Sequence, residues 1–542
     1  MAARDSLLAR LRGTRFDLLV IGGGIVGAGI ARDAAMRGVS VALIEQGDFA
    51  SGTSSKTSKL IHGGLRYLEH GHLRLVFESL RERGVLRAIA PGLVHPVSLL
   101  LPVYQGDRRG PWTINAGLWL YDLLAAGRNI RPHRMLSARR ALALEPGLRV
   151  DGLRAAGLYA DCQMDDARLC LANILQAAGW GAVCANYVRL RTVLKAEGRV
   201  CGATAEDIRG GRAFEIQARC VINATGPWSD QVRRLSESGA APRLAPTKGI
   251  HLIVPRLAQE ALFVQGRRDG RMLFLLPWGD YSLVGTTESA AQGPLESLRA
   301  EAEEVGYLLE EVNRILPGSH LDAGEVIATF AGARPLLASS GSATQASREH
   351  RIEVDPWGLI SVLGGKFTTY RLMARQAVDL ALRLSGRRAD RCLTDQVGLL
   401  ETVRPVSLEH WRAVTQRVDG DTLARLITRY GAKALQVLQL IESEPSLAQP
   451  VCPHHEVSQA ELIHAVRGEF ACTLTDVLAR RTRIALSSCQ GLDALSTVTG
   501  LIRRYAGLSA DEMERQADQY RRFLSDSLVF RAQRTPEPAA AP

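Results

Sequence analysis

Three glycines near the start of the chain have the spacing that a bound pyrophosphate requires. Gly22-x-Gly24-x-x-Gly27 follows the apolar run 16–21 and opens a helical pattern, and Glu45 ends the next apolar run. Glycines let the backbone turn tightly and approach a pyrophosphate, while the amino end of a helix offers it free N–H groups and a positive dipole. The Glu45 carboxylate has the chemistry to accept hydrogen bonds from an adenosine ribose. Strand, turn, helix and acid in this order predict a dinucleotide site.

A second segment, far along the chain, indicates which dinucleotide binds. The apolar run 221–223 ends in Ala-Thr-Gly, with Thr225 and Gly226 at the turn, and the chain carries only one glycine fingerprint. This arrangement is typical of flavoproteins in which inserted sequence separates two parts of one FAD-binding domain. We therefore interpret the cofactor as FAD rather than NAD. The alternative for Thr225 and Gly226 is an ordinary exit from a strand, without cofactor contact.

Five longer motifs occur in a fixed order: ASGTSSKTSKLIHGGLRYLEH at 50–70, NATGPW at 223–228, KGIHLIVP at 248–255, GARPL at 332–336 and GGKFTTYR at 364–371. Together they resemble the FAD-dependent (aerobic, quinone-linked) glycerol-3-phosphate dehydrogenases, from Phe16 to about Leu384 and more weakly through DVLARRTRIAL at 476–486. The resemblance implies oxidation of sn-glycerol 3-phosphate to dihydroxyacetone phosphate, by hydride transfer from C2 to flavin N5, with electrons passed to membrane quinone. It also implies that FAD is bound non-covalently.

The same resemblance assigns residues to the substrate. Glycerol 3-phosphate needs cationic donors for its phosphate, and arginine suits this role because its planar fork donates two hydrogen bonds and keeps its charge. By resemblance, the substrate-binding residues are Arg66, Tyr67, Arg334, Arg348 and Lys366. The alternative for each arginine is a solvated surface position. The alternative for Lys366, which follows two glycines, is a position that merely flanks a helix start.

The reaction also needs a group that accepts the proton of the C2 hydroxyl. By resemblance, His251 matches a family histidine near the substrate, and an imidazole titrates near working pH. Arg334 and Lys366 lie near the same centre by analogy, and we expect them to stabilise the developing alkoxide. The alternative for His251, which stands in an apolar run, is a core histidine with satisfied hydrogen bonds. The identity of the base stays open at this stage.

Further flavin contacts are expected from three short polar or glycine-rich segments. Hydroxyls and amides suit a pyrophosphate, glycines permit close approach to the isoalloxazine, and a helix amino end stabilises negative charge at the flavin's C2 carbonyl region. In that order, the segments are Thr53-Ser54-Ser55, His62-Gly63-Gly64, and Gly365 with Thr368 and Thr369.

The elements that position these residues follow from the hydrophobic pattern. Strand 16–21, helix 25–37 and strand 41–44 form the βαβ unit of a parallel sheet. A β-hairpin over 188–218 turns at Glu197-Gly198. Further helices are predicted at 72–90, 165–178, 295–315 and 370–384, and the chain from about 406 onward is predicted to be helical.

The predicted fold class is α/β, a discontinuous glutathione-reductase-type FAD-binding domain with an inserted mixed β-sheet substrate domain and an all-α C-terminal domain. The predicted ranges are 16–92, 150–245 and 325–390 for the FAD-binding domain, 93–149 and 246–324 for the substrate-binding cap, 400–530 for the helical domain, and 531–542 for a disordered tail.

The composition is that of a soluble globular chain with surplus positive charge. Of 542 residues 46% are apolar, and 67 Lys and Arg stand against 56 Asp and Glu, a net charge of +11. The surplus suits an anionic partner, and basic clusters such as Arg480-Arg481-x-Arg483 are candidates for contact with an anionic membrane surface. No apolar run reaches the roughly 18 residues of a spanning helix, and 1–15 is too polar for a signal peptide. We expect a cytoplasmic protein held peripherally on the inner face of the cell membrane.

The cysteines carry a second expectation about the compartment. Nine are scattered without a C-x-x-C pair, which indicates a reducing compartment and mostly buried thiols. No metal site is expected from this spacing. The sequence also leaves room for a homodimer.

Two other functions compete with the dehydrogenase interpretation. The first stays among flavoenzymes: an oxygen-reducing glycerol-3-phosphate oxidase, or an amino-acid or amine oxidase of the same fold, which would need a carboxylate clamp instead of a phosphate cage. The second is a basic flavin-containing protein that binds nucleic acid, which accounts for the net charge but not for the ordered motifs. No nucleic-acid partner is therefore expected.

Overall fold

The helices and strands are those of a computed structural model, which describes residues 2–338, 349–399 and 418–533. The helices are α1 (Ala2–Gly13), α2 (Ile25–Met36), α3 (Leu73–Ile89), α4 (Pro111–Leu124), α5 (Ala138–Leu144), α6 (Asp166–Gly179), α7 (Ser229–Ser236), α8 (Ala302–Ile315), α9 (Tyr370–Ser385), α10 (Gly420–Tyr430), α11 (Ala434–Ser443), α12 (Gln459–Gly468), α13 (Leu495–Ala506) and α14 (Ala510–Ser527). The strands are β1 (Arg15–Ile21), β2 (Val41–Ile44), β3 (Leu60–Ile61), β4 (Val94–Tyr104), β5 (Arg134–Ser137), β6 (Leu153–Met164), β7 (Val183–Ala185), β8 (Val188–Ala196), β9 (Arg199–Asp207), β10 (Arg212–Asn223), β11 (Thr247–Pro255), β12 (Ala261–Gln265), β13 (Met272–Trp278), β14 (Tyr281–Gly285), β15 (Ser289–Ala290), β16 (Ala328–Arg334), β17 (His350–Val354) and β18 (Ile360–Gly364).

The predicted βαβ unit is confirmed and forms the centre of a parallel sheet. β1 pairs in parallel with β2 on one side and with β10 on the other, and β10 pairs in parallel with β18. The register places Ile21 beside Asn223, so the glycine turn and the Asn-Ala-Thr-Gly turn leave the sheet at the same edge. Gly364 ends β18 at this edge too, because the carboxyl ends of parallel strands lie together. Three segments that are far apart in the sequence therefore meet.

Helices cover one face of this sheet, and an antiparallel ladder covers the other. Along β1, Leu18 and Val20 pack with α2, α6 and α9, whereas Leu19 and Ile21 pack with α1 and the ladder β8–β9–β10. This alternation is that of a strand buried on both faces. The Glu197-Gly198 turn of the predicted hairpin is confirmed, because Ala196 pairs with Arg199 across it. The hairpin ends at Asp207, however, and the predicted range beyond it contains a second turn and the start of a third strand, β10.

A second, mixed sheet faces the edge where those turns lie. Its strand order among the described residues is β15-β11-β14-β13-β12-β4-β6-β3, with β16 beside β11 and β5 beside β6. One face buries Leu308 and Val312 of α8, and the other buries Leu80 of α3 and Leu118 of α4. The cover on both faces makes this sheet a rigid wall for the cavity described below.

The two sheets divide the chain differently from the predicted domain ranges. β3, β6 and β16 fall in ranges predicted for the FAD-binding domain, yet they pair within the second sheet. β6 pairs with β4 along its length, from Met164 opposite Val94 to Leu153 opposite Tyr104. Backbone pairing decides this membership, and the hydrophobic pattern of a strand does not state its neighbours. The domain boundaries themselves stay a prediction.

The helix predicted for 295–315 begins later than expected. Leu295–Ser297 is a single 3₁₀ turn, and α8 begins at Ala302 after the N-cap residue Glu301. The Glu301 and Glu304 side chains form a reciprocal capping box, and both carboxylates contact the ammonium of Lys248 on β11. A cap fixed by a partner in another element sets the start of this helix.

The carboxyl-terminal helices attach to the parallel sheet through buried charges. Arg480 and Arg481 both donate to the carboxylate of Asp48, which follows β2, and the Arg481 side chain is only 1% exposed. Arg168 on α6 pairs with Glu469 in the same way. The expectation that Arg480 and Arg481 contact a membrane is therefore wrong, since buried arginines that are paired inside the protein cannot reach lipid.

The predicted helical character of the region after about 406 is confirmed for residues 418–533. Residues 400–417 and 534–542, the latter being most of the predicted tail, lie outside the described residues. Arg531, at the start of that predicted tail, donates hydrogen bonds to the carbonyls of Ala323, Gly324 and Val326. Among the described helices, none is both long enough and apolar enough to cross a membrane.

Candidate active site

One cavity of about 800 Å³ lies between the carboxyl edge of the parallel sheet and the second sheet. It brings together most of the residues that the sequence singled out. Those that line it are Gly22, Gly24, Glu45, Thr53, Ser54, His62, Gly64, Arg66, Tyr67, Thr225, Gly226, His251, Arg334, Gly365, Lys366 and Thr368. Four others, Gly27, Ser55, Gly63 and Thr369, do not line it. Arg348 lies outside the described residues.

The glycine turn places bare backbone against the cavity. Gly22 has φ +109°, and a Cβ there would lie 2.7 Å from the carbonyl oxygen of Ala224. Gly27 acts differently, because its Cβ would lie 1.9 Å from the carbonyl oxygen of Gly22, so this glycine lets α2 pack on β1. Ser54 accepts a hydrogen bond from the first helical N–H, that of Ile25, at 2.9 Å. Its own hydroxyl proton stays available to an acceptor in the cavity.

Glu45 is held by backbone donors on both of its oxygens. Oε2 accepts from the N–H of Gly23 at 2.7 Å, and Oε1 accepts from the N–H of Gly47 at 2.8 Å. Burial raises the pKa of the Glu45 carboxyl above its ordinary value, against the lowering effect of these hydrogen bonds. Each oxygen keeps a second lone pair, so the carboxylate is oriented and still able to accept from a ribose hydroxyl.

The remaining predicted flavin contacts are tied to their neighbours. Thr53 donates through its hydroxyl to the carbonyl of Ala333, which joins the first sheet's loop to the second sheet. Thr225 donates to the side chain of Asn223, and Thr368 accepts from the N–H of His62. Gly63 turns away from the cavity, where its N–H donates to the hydroxyl of Tyr121. These bonds hold the loops that form the cavity wall.

Arg66, Tyr67 and Lys366 form one cationic corner of the cavity. The Lys366 ammonium lies 3.7 Å from the centre of the Tyr67 ring and donates to the hydroxyl of Ser79. Gly64, with φ +83°, allows this ring to lie against the backbone, because a Cβ there would be 2.3 Å from it. Among the described residues, no hydrogen bond or ion pair engages the guanidinium of Arg66. That corner therefore offers positive charge to an anion.

Arg334 is fixed at the end of β16 by hydrogen bonds to the loop after β14. Its Nη2 donates to the hydroxyl of Thr286 at 2.8 Å and to the carbonyl of Thr287 at 2.9 Å. Its Nη1 lies 3.7 Å from the carboxylate of Glu288. Gly249 leaves room for the guanidinium, since a Cβ there would lie 2.2 Å from Nη2. The charge of Arg334 is thus held in place before any ligand binds.

His251 on β11 is a buried, neutral imidazole. Its Nε2 lies 2.8 Å from the hydroxyl of Ser58, and within the described part of the chain its buried Nδ1 has no hydrogen-bond partner. The ring stacks on Phe330, with centroids 5.0 Å apart. Burial lowers the pKa of His251 well below its ordinary value, and the charges of Arg334 and Lys59 lower it further. A core histidine would have hydrogen-bond partners on both ring nitrogens, whereas among the described residues His251 has a partner on Nε2 only.

Sequence reasoning missed several cavity residues within its own longest motif, Lys56 and Ser58 among them. Lys56 lines the cavity, and burial lowers the pKa of its ammonium to about 8, helped by the charges of Arg299 and Arg480. Ser58 also lines the cavity and holds His251. Of residues 53–58, only Thr53, Ser54 and Ser55 were predicted to contact the flavin. The available signal was the alternation of hydroxyl and lysine residues from 53 to 59.

Comparisons with known proteins agree with this geometry. A family profile described as FAD dependent oxidoreductase matches residues 17–380, and one described as the C-terminal domain of alpha-glycerophosphate oxidase matches residues 366–513. A glycerol-3-phosphate dehydrogenase of Synechocystis sp. is 36% identical, over 96% of this chain and 98% of that protein. The human mitochondrial glycerol-3-phosphate dehydrogenase is 35% identical, over 98% of this chain and 76% of that protein.

A solved structure leads to the same family. The glycerol-3-phosphate dehydrogenase of Bacillus halodurans, complexed with FAD, aligns with a TM-score of 0.80 at 28% identity and covers 98% of this chain and 99% of that one. The profile matches most of the described fold, and the relatives match nearly end to end. This chain belongs to the family of FAD-dependent glycerol-3-phosphate dehydrogenases.

Proposed function

We propose that this protein oxidises sn-glycerol 3-phosphate to dihydroxyacetone phosphate with FAD and passes the electrons to membrane quinone. One observation carries the proposal. A single cavity is lined both by the glycine-rich turns and by the cations Arg66, Arg334 and Lys366, with neutral His251 among them. Such a cavity suits a small alcohol that carries a phosphate.

The residues present fit FAD. The backbone at Gly22 has no room for a side chain, and Glu45 keeps acceptor lone pairs on oriented oxygens. We infer that Gly22, Gly24, Ser54 and Thr225 approach the pyrophosphate and that Glu45 accepts from the ribose. Bound FAD supplies the two-electron oxidant that the C2 alcohol needs.

The phosphate is proposed to bind at the cationic corner. Arg66 has a free guanidinium among the described residues, and Lys366 is held over the Tyr67 ring. A dianion there gains charge-assisted hydrogen bonds in a partly buried place, where they are stronger than in water. The role of Arg348, which lies outside the described residues, stays a prediction.

His251 is proposed to accept the proton from the C2 hydroxyl. The ring is neutral and therefore able to accept, and Ser58 and Phe330 fix its direction. A bound phosphate dianion opposes the charges of Arg334 and Lys59 that lower the pKa of His251, so substrate binding strengthens the base. Arg334 is proposed to stabilise the alkoxide oxygen as the proton leaves.

An anaerobic reduction tests substrate and cofactor together. We expect glycerol 3-phosphate to bleach the oxidised flavin spectrum, and a quinone analogue to restore it faster than air does. Bleaching by an amino acid, with glycerol 3-phosphate inert, would replace this substrate assignment. Faster recovery in air than with the quinone would instead favour an oxidase.

An apolar face on α4 supports the membrane part of the proposal. Trp112, Trp119 and Leu123 are 85%, 65% and 74% exposed and lie within about 40° of one another around the helix axis. The opposite face is buried through Ile114 and Leu118. Arg108 before the helix and Arg128 after it are exposed. Exposed tryptophans flanked by arginines are typical of a helix that lies in the surface of an anionic bilayer.

Vesicle sedimentation tests this face. We expect the protein to sediment with vesicles that contain anionic lipid, and Trp112→Ser with Trp119→Ser to release it without loss of flavin. Trp180→Ser is the matched control, because Trp180 is also exposed but lies at the end of α6. Equal release by the control would refute the α4 assignment. A homodimer also stays a prediction, which sedimentation equilibrium tests.

A further inference from the structure

Two cysteines and a histidine converge in the carboxyl-terminal region, away from the cavity. The Sγ atoms of Cys452 and Cys489 lie 4.0 Å apart, and Nε2 of His455 lies 3.2 Å from Sγ of Cys489. All three donor atoms lie within 4.8 Å of one another. Within residues 2–338, 349–399 and 418–533, this is the one group of three metal-ligating side chains that converges so closely.

The distances match those between ligands of a tetrahedral zinc ion. With Zn–S bonds of about 2.3 Å and Zn–N bonds of about 2.0 Å, a tetrahedron separates two sulfurs by about 3.8 Å and a sulfur from a nitrogen by about 3.5 Å. The observed separations of 4.0 and 3.2 Å differ from these by only a few tenths of an ångström. A disulfide would instead need the sulfurs at about 2.0 Å.

Neighbouring groups supply a hydrogen-bond donor and negative charge beside the three ligands. The N–H of Gly491 points at Sγ of Cys489, a donor that favours the thiolate form. The hydroxyl of Ser487 lies 2.8 Å from Nε2 of His455, the nitrogen that faces Cys489, so a bound ion would replace this hydrogen bond. The carboxylate of Asp493, 3.8 Å from His454, adds negative charge beside the cluster.

The loops that carry the ligands explain what an ion would stabilise. Cys452 and His455 lie in a loop closed by the pairing of Pro450 with Ser458, and Cys489 lies in the loop before α13. In that second loop, the N–H of Ser488 donates to the hydroxyl of Tyr281, which also lies 3.3 Å from Oγ of Ser488. The side chain of Gln490 donates to the carbonyl of Ile327. An ion at the cluster therefore fixes the loop through which the helical region contacts the second sheet.

We propose that Cys452, His455 and Cys489 bind one Zn²⁺ ion in the carboxyl-terminal region, as three protein ligands with water in the fourth position. Thiolates select soft or borderline ions over Mg²⁺ and Ca²⁺, and a set of two sulfurs and one imidazole suits Zn²⁺. The site is independent of the FAD cavity and of the proposed reaction.

Metal content and cobalt substitution test the site in the full-length flavoprotein. After a zinc supplement and dialysis, we expect one zinc per chain by elemental analysis. Replacing zinc by Co²⁺ should give a thiolate-to-cobalt charge-transfer band and the strong visible bands of a tetrahedral ion. Cys489→Ser and His455→Gln should weaken Co²⁺ binding at least about 100-fold, since losing even an outer partner of a ligand costs roughly 10–100-fold.

Cys201→Ser is the matched control, because Cys201 is also partly exposed but lies on β9. It should keep the metal and the cobalt spectrum, and flavin content reports whether each variant has folded. Chelation should lower the melting temperature of the wild type and of Cys201→Ser, but not that of Cys489→Ser. Substoichiometric zinc, cobalt binding without the thiolate band, or a native mass lower by two hydrogens, which marks a disulfide, would each overturn the proposal.

Discussion

The glycine turns of the parallel sheet and the carboxyl-terminal helices meet around Asp48, yet their chemistry is encoded in different ways. At the glycine turn, one continuous motif supplies the turn, the helix start and the close approach to a cofactor. All of its residues, from Gly22 to Gly27, are neighbours in the chain. In the helical region, Arg480 and Arg481 find their partner more than four hundred positions away. The function of a local motif can therefore be predicted from the motif itself, whereas the role of a charge cluster cannot be predicted until its partner is known.

The Asp48 cluster shows why the basic run at 480–483 misleads as a membrane signal. Oδ2 of Asp48 accepts hydrogen bonds from Arg480 and Arg481. Oδ1 accepts from Arg481 and from the side-chain amide of Asn186. Burial alone would raise the pKa of the Asp48 carboxyl, but the charges of Arg481 and Arg480 outweigh it and lower the pKa to about 2. Arg480 and Arg481 hold two regions of the protein together, and only Arg483 of this run has a substantially exposed side chain.

The largest expected effect comes from removing Asp48. Asp48→Ala leaves the buried guanidinium of Arg481 without a carboxylate, while Arg480 keeps Asp476. We expect the free energy of unfolding to fall by about 3–5 kcal/mol. Denaturant unfolding measures it, with Asp518→Ala as control. Asp518 pairs with Arg521 on the surface, where a pair contributes at most about 1 kcal/mol. Equal losses of unfolding free energy in the two variants would mean that the contacts of Asp48 with Arg480 and Arg481 do not hold the helical region to the parallel sheet.

The stability that Asp48 contributes has a defined pH dependence. Because the folded-state pKa of Asp48 lies below its ordinary value of 3.8, its contribution is complete above 3.8 and is lost as pH falls through about 2. We expect the wild type to lose stability over this window more steeply than Asp48→Asn. Parallel curves for the two proteins would contradict the shifted pKa.

The next largest effect tests the cationic side of the cavity. Arg334→Ala removes a preorganised charge, and we expect kcat/KM for glycerol 3-phosphate to fall by about 10²–10³ while FAD stays bound. Arg351→Ala is the control, because Arg351 is an exposed arginine on β17, in the other sheet. Loss of FAD with unchanged kinetics in the remaining holoenzyme would assign Arg334 to the cofactor instead.

A smaller effect is expected at the ribose end. Glu45→Ala should weaken FAD binding by roughly 10–100-fold, which corresponds to about 1.5–3 kcal/mol for a charged hydrogen bond. Turnover of the enzyme that still holds FAD should change little. Flavin retention on gel filtration measures this, with the exposed Glu215→Ala as control. Full retention in Glu45→Ala would remove the ribose assignment.

The smallest effect concerns Lys56, which sequence reasoning missed. Its pKa of about 8 means that the cavity loses one positive charge as pH rises above 8. We expect kcat/KM to fall about fivefold above this pH, because the phosphate is then held less strongly. A fivefold change corresponds to a free-energy difference of roughly 1 kcal/mol. Lys56→Arg keeps its charge, so its profile should stay flat over the same window. A wild-type profile that is equally flat would show that Lys56 does not act on the substrate.

Local patterns predicted the βαβ unit, the hairpin turn at Glu197-Gly198 and the ordered motifs, because each depends on residues that are neighbours in the chain. The start of α8 at Ala302 could not be predicted in this way, since Lys248 from another strand contacts its cap. Sheet membership of β6 and β16 also depends on pairing partners that the hydrophobic pattern does not name. The role of Lys56 could not be predicted either, because the residues that form the cavity around it are far away in the chain.

The sequence by itself determined the dinucleotide turn, the cofactor class and the family, because glycines, a terminal acid and long motifs carry their meaning locally. Only the tertiary structure decided that Asp48 binds Arg480 and Arg481, that Ser58 holds His251, and that Cys452, His455 and Cys489 converge. These groups depend on distances in space between residues far apart in the chain. Burial then changes their charge and hydrogen bonding, which no spacing along a sequence specifies.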